Sequence, residues 1–151
     1  MFVVCISAST NKLFAQTESM QDILMKYKWI ENNKHWSSSP GYTIYTKGEC
    51  LYFRDGNKPL KSGIHSYYLS DDITSKILDY SKVEKSFNGK YLYVQVGKPR
   101  TNTEIYEILE LNNKKLIIKI VYPDPRTMIG PPSIRHYKSK RLKKNTLFNN
   151  K

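Results

Sequence analysis

The sequence predicts an all-β fold: a small antiparallel up-and-down barrel with a short N-terminal helix and one helical insertion. Three observations predict it. The chain has 12 tyrosines among 151 residues, whereas alanine occurs only at Ala8 and Ala15. Aromatic and β-branched residues suit half-buried pleated strands, and alanine is the best helix former. Short apolar runs alternate with turn-forming pairs such as Asp55-Gly56, Asn88-Gly89 and Asn112-Asn113. Finally, the chain shows neither an internal repeat nor the strand–helix alternation of a parallel sheet. A meander of this kind is best closed into a barrel, because closure removes exposed strand edges. The length suits one domain, large enough to fold without a metal or disulfide.

Residues 1–15 carry the apolar run Phe2-Val3-Val4-Cys5-Ile6 and end at Ala15 before Gln16. A small residue before a cut is the mark of a secretion signal, so a partial signal peptide is expected there, the alternative being a first strand from Phe2 to Ala8. The expected organisation is a signal at 1–15, a barrel domain at 16–142 and a basic flexible tail at 143–151. The signal implies an exported protein, periplasmic or secreted. No run approaches the roughly 20 apolar residues of a membrane-spanning helix.

Residues 17–28 read as the short helix. Met20, Ile23, Leu24 and Tyr27 recur at helical spacing, and Thr17 or Ser19 can cap the start. Strand signals begin after it. Tyr42–Thr46 and Cys50–Arg54 flank a turn at Lys47-Gly48-Glu49, and Ser66–Leu69 follows. Asp71-Asp72 is expected to cap a helical segment over Ile73–Tyr80. Lys82–Phe87 then reads as a strand ended by Asn88-Gly89, the strongest short hairpin signal because a type I′ turn needs positive φ at both residues. Lys90–Val96 alternates, with Leu92, Val94 and Val96 on one face and Tyr91, Tyr93 and Gln95 on the other. Glu104–Leu111 and Lys114–Tyr122 form a pair across Asn112-Asn113, and the nearly apolar Leu116–Val121 suits a strand covered on both sides. Pro123, Pro125, Pro131 and Pro132 exclude regular structure between them. Ile134–Leu142 reads as the last strand.

The formal net charge is +12. Seven of the 25 basic residues fall between Arg135 and Lys151, a stretch without an acid. Such a segment is either a solvated end or a site for an anionic partner, with Arg135, Lys138, Lys140, Arg141, Lys143 and Lys144 as the anion-binding candidates. For an exported protein an anionic surface or glycan fits better than nucleic acid. The two cysteines are Cys5 and Cys50, and Cys50 lies in an apolar run, where a buried inert thiol is expected.

Catalytic signatures are missing: no Gly-x-Ser-x-Gly, no phosphate-cradling glycine loop and no His-Glu-x-x-His. His35, His65 and His136 lie in separate segments, none with a second ligand at metal spacing. The chain therefore reads as a binding protein rather than an enzyme, with no catalytic residue, metal or cofactor expected.

Three segments carry a family likeness. A short helix runs into Lys26-Tyr27-Lys28-Trp29, an aromatic run closes on a turn in Tyr52-Phe53-Arg54-Asp55-Gly56, and a strand–turn–strand spans Tyr106 to Leu116. Together these resemble the lipocalin-like domain proteins exported by Bacteroidetes. The lipocalin family's usual pattern has Gly-x-Trp on the first strand, where this chain has Tyr27 at the glycine position. It also stacks a late arginine over that tryptophan, a role open here to Arg135 or Arg141. The resemblance implies a barrel whose interior binds a small apolar or amphipathic molecule. The cavity candidates are Trp29, Phe53, Tyr68, Tyr93 and Tyr106. Which of them face inward depends on strand register, since a one-residue slip exchanges the two faces.

Overall fold

The computed structural model describes residues 18–32, 41–54, 59–60, 63–96, 102–122 and 134–142. The expected signal at 1–15, the proline-rich stretch at 123–132 and the tail from Lys143 lie outside the described residues.

Eight antiparallel strands form a closed barrel in sequence order: β1 (Tyr27–Glu31), β2 (Tyr42–Tyr45), β3 (Glu49–Phe53), β4 (Ile64–Ser70), β5 (Tyr91–Val96), β6 (Asn102–Leu111), β7 (Lys115–Tyr122) and β8 (Ile134–Arg141). Closure runs through β1 and β8, where Tyr27 pairs with Arg141 and Glu31 with Tyr137. The all-β up-and-down barrel expected from the sequence is therefore the observed fold.

The helix α1 (Met20–Lys26) is shorter than the sequence suggests, because Tyr27 already has extended dihedrals and opens β1. Its start is fixed by a capping box. The Asp22 amide donates to Ser19 Oγ at 3.1 Å, and the Ser19 amide donates back to the Asp22 carboxylate. Leu24 is fully buried, and the Trp29 indole N–H donates to the Leu24 carbonyl at 2.9 Å. Leu24, Trp29, Leu69, Leu92, Tyr106 and Leu116 belong to one buried cluster, so α1 packs into the interior and closes that end of the barrel.

Three expectations fail between β4 and β5. Ile73–Tyr80 is not helical; the only helical piece there is a 3₁₀ turn at Tyr80–Lys82, capped by Asp79 rather than by Asp71-Asp72. Ile73 and Ile77 remain exposed, so the apolar spacing that suggested a helix has no face to pack against. Nor is Lys82–Phe87 a strand: it forms turns, with Glu84 at φ 67°.

Asn88-Gly89 makes no hairpin. The Phe87 carbonyl accepts from the Gln21 amide at 3.0 Å, and Asn88 Oδ1 accepts from the Met20 amide at 2.9 Å. Residues 87–88 thus satisfy the first free N–H groups of α1. Gly89 is needed for close approach: a Cβ there would lie 2.4 Å from the Ser70 amide nitrogen.

A second, smaller cluster lies on the outside of the wall, beneath the β4–β5 connection. It contains Tyr68, Leu78, Tyr93 and Ile105. Further round the wall, the outward Ile117 and Lys119 of β7 are half-buried, and only Val121 of its outer face packs against this cluster, so most of that strand is covered on its inner side alone.

Candidate functional site

Strand alternation determines what the interior offers. Leu92, Val94 and Val96 of β5 point inward, as do Glu104 and Tyr106 of β6, Ile118 of β7, and Arg135 and Tyr137 of β8. With Glu31, Thr43, Tyr45, Cys50, Tyr52 and His65 they line a cavity of about 240 Å³. It lies on the side of the interior away from α1, and its wall has two characters. Leu92, Val94, Val96 and Ile118 form an apolar side. Glu31, Glu104, Arg135, Tyr106 and Tyr137 bring charge and hydroxyl groups together.

Arg135 is the centre of the polar group. Its guanidinium lies over the Tyr106 ring, 5.6 Å from the centroid, and donates a hydrogen bond to the Tyr137 hydroxyl. Burial opposes its charge, but Tyr106, Tyr137 and Glu104 outweigh that cost and hold its proton more tightly than usual. The ion pairs Lys26–Glu18, Lys90–Glu107 and Lys115–Glu110 lie away from Arg135. Glu104 instead accepts a hydrogen bond from the Tyr106 hydroxyl. Burial pushes the Tyr137 phenol up to about 12 and raises Tyr106 well above its usual range, so both phenols are neutral donors at ordinary pH. Cys50 is also buried in this wall, where desolvation pushes its thiol up to about 12 and keeps it protonated and unreactive.

The structure separates the residues picked from sequence. Of the five aromatic cavity candidates, Tyr106 lines the cavity. Trp29 is inside the barrel but buried against α1 and outside the cavity lining. Phe53 faces outward, stacked on its register partner Tyr42 at 4.6 Å. Tyr68 and Tyr93 are likewise register partners on the outer face, stacked at 4.6 Å in the second cluster. The basic segment divides in the same way. Arg135 points into the cavity, over Tyr106 rather than Trp29. Lys138 and Lys140 alternate with it onto the outer wall, and Arg141 is exposed at the end of β8. Lys143 and Lys144 lie outside the described residues.

The residues that sequence reasoning missed are the polar ones, Glu31, Glu104, His65 and Tyr137. One signal for them exists. In Ile134–Arg141 the inward positions 135, 137 and 139 carry Arg, Tyr and Ser, whereas 138 and 140 are lysines. Read at a period of two, the basic block separates into an inward and an outward set.

Among the described residues no cluster of three or more His, Cys, Asp or Glu side chains is placed to hold a metal ion, and no helix is long and apolar enough to cross a membrane. No protein-family model, no curated protein and no solved structure matches this chain.

Proposed function

We propose that the barrel is a carrier or sensor of one small amphipathic molecule, held in the cavity with its apolar body along Leu92, Val94, Val96 and Ile118 and its polar head at Arg135. An eight-stranded meander barrel closed at one end by a helix is consistent with a lipocalin-like fold, in which the interior is the binding site. The observation that carries the reading is the inward guanidinium of Arg135, which shares one cavity with the apolar side chains of Leu92, Val94, Val96 and Ile118. A fixed charge and hydroxyl groups facing the same space as an apolar side suit a molecule with a polar head and an apolar body.

The lining also narrows the head group. Glu31 and Glu104 stand in the same wall as Arg135, so a plain carboxylate would meet two like charges. A head that accepts from Arg135 and donates to a glutamate satisfies both. Hydroxyl, amide and zwitterionic heads have this chemistry. At about 240 Å³ the cavity is smaller than the roughly 300–1,000 Å³ of sites for drug-sized ligands, so the molecule is small.

Native mass spectrometry of the protein purified from its own host tests this. The expected result is a reproducible excess mass that leaves on denaturation and is absent from Arg135→Met. A clean apo mass, together with no thermal shift from small hydroxylated, amide or amino-acid-like amphiphiles, overturns the reading.

A further inference from the structure

The outer wall of β7, β8 and β1 has an arrangement that barrel stability does not explain. Lys115 stands directly opposite Lys138 across β7 and β8, and Lys140 directly opposite Lys28 across β8 and β1. Like charges directly opposite in a sheet are destabilising. The outward positions of these strands add Lys119, His136, Ile117, Ile134 and Ile30, and none of them carries a carboxylate. Glu110 of the neighbouring β6 compensates Lys115, at 2.7 Å. Lys28 rests over the Tyr42 ring at 3.5 Å. Lys138 and Lys140 are exposed.

We propose that this wall docks on an anionic lipid surface. The charge is complementary, and its like-charge pairs lose their repulsion once headgroups lie between them. Lysine, a compact charge on a flexible stem, suits a fluid layer of headgroups, whereas arginine suits fixed bidentate recognition. The lysines adjoin exposed Ile134 and half-buried Ile30 and Ile117, which supply apolar contact beside the charge. Single-stranded nucleic acid is bound by stacking bases on aromatic platforms; the outward positions of β7, β8 and β1 carry no Tyr, Trp or Phe, and the neighbouring Tyr42 of β2 is already occupied by Lys28 and by stacking on Phe53. The surface is separate from the cavity, because alternation sends Arg135 and Tyr137 inward and Lys138 and Lys140 outward.

Co-sedimentation with phosphatidylglycerol–phosphatidylcholine vesicles and with pure phosphatidylcholine vesicles tests the proposal. Binding is expected to the first only and to fall steeply with salt. Lys138→Glu/Lys140→Glu is expected to weaken it by about tenfold or more. Lys82→Glu/Lys85→Glu makes the same change in net charge on the β4–β5 connection and is expected to leave most of the binding intact. Equal loss in the two variants overturns the proposal by showing a bulk-charge effect. Tighter binding to a single-stranded oligonucleotide or a sulfated glycan than to the vesicles, at matched salt, overturns it in favour of another polyanion. Should the glutamate variant not fold, Lys138→Gln/Lys140→Gln set against Lys82→Gln/Lys85→Gln gives the same charge-matched comparison, and removing the like-charge pairs is expected to raise the thermal midpoint of the first.

Discussion

The indole nitrogen of Trp29 donates to the carbonyl of Leu24, five residues back, at 2.9 Å, and both residues are fully buried. This bond joins the last turn of α1 to the first strand and holds the helix in the end of the barrel. Trp29→Phe retains most of the apolar bulk but leaves a buried carbonyl without its donor. Such a loss costs about 1–3 kcal/mol. The urea midpoint is expected to fall with an unchanged slope, since the surface exposed on unfolding is the same. A midpoint equal to the parent's would mean that α1 is held by packing alone.

Gly89 tests the second attachment of α1. A Cβ at this position would sit 2.4 Å from the Ser70 nitrogen and 2.6 Å from its carbonyl carbon, and the backbone has φ 155°. The obstacle is main chain, which cannot rotate away. Gly89→Ala is expected to cost about 2 kcal/mol or more. Because Phe87 and Asn88 cap α1 from the same loop, amide exchange at Met20 and Gln21 is expected to quicken beyond the global loss of stability.

The same two attachments show how far the sequence can be read. Short apolar and aromatic runs between turn signals marked β2–β8, and the Asn112-Asn113 turn formed where expected. The Asn88-Gly89 pair misled because positive-φ chemistry and close-approach chemistry demand the same residue, and only the Ser70 backbone distinguishes them. Tyr68 and Tyr93 look like cavity residues because an outer face covered by the β4–β5 connection selects the same aromatics as a core. Arg135 was legible as a charge but not as an interior one, since its direction depends on its register with Ile118 across β7 and β8. Glu31 and Glu104 looked like ordinary surface carboxylates, and only barrel closure brings them to Arg135.

Arg135 separates a structural from a functional role. Replacing it with an apolar side chain of similar length removes its burial cost but also its favourable contacts with Tyr106, Tyr137 and Glu104, which outweigh that cost. If Arg135 serves a ligand as well as the fold, Arg135→Met is expected to lose only about 1.5–3 kcal/mol, the worth of a hydrogen bond to a charged group. A structural keystone would instead cost about 3–5 kcal/mol when removed. Denaturant titration of the apo protein decides between the two.

The interior also sets the alkaline limit of the fold. Burial raises the Cys50 thiol from 9.0 to about 12 and the Tyr137 phenol from 10.0 to about 12, and it raises Tyr45 and Tyr106 as well. Each is an acid whose folded value lies above its unfolded one, so the unfolded state releases its proton first. The stability tied to these groups is complete below about pH 9 and is lost as pH rises towards about 12. Phenolate absorbance is expected to rise in two stages, exposed tyrosines first and the buried set together with loss of near-ultraviolet circular dichroism. Cys50 is expected to resist a thiol reagent at neutral pH and to react in step with that second stage. Reaction at neutral pH at the rate of a free thiol would place Cys50 in contact with solvent and require a more open cavity wall.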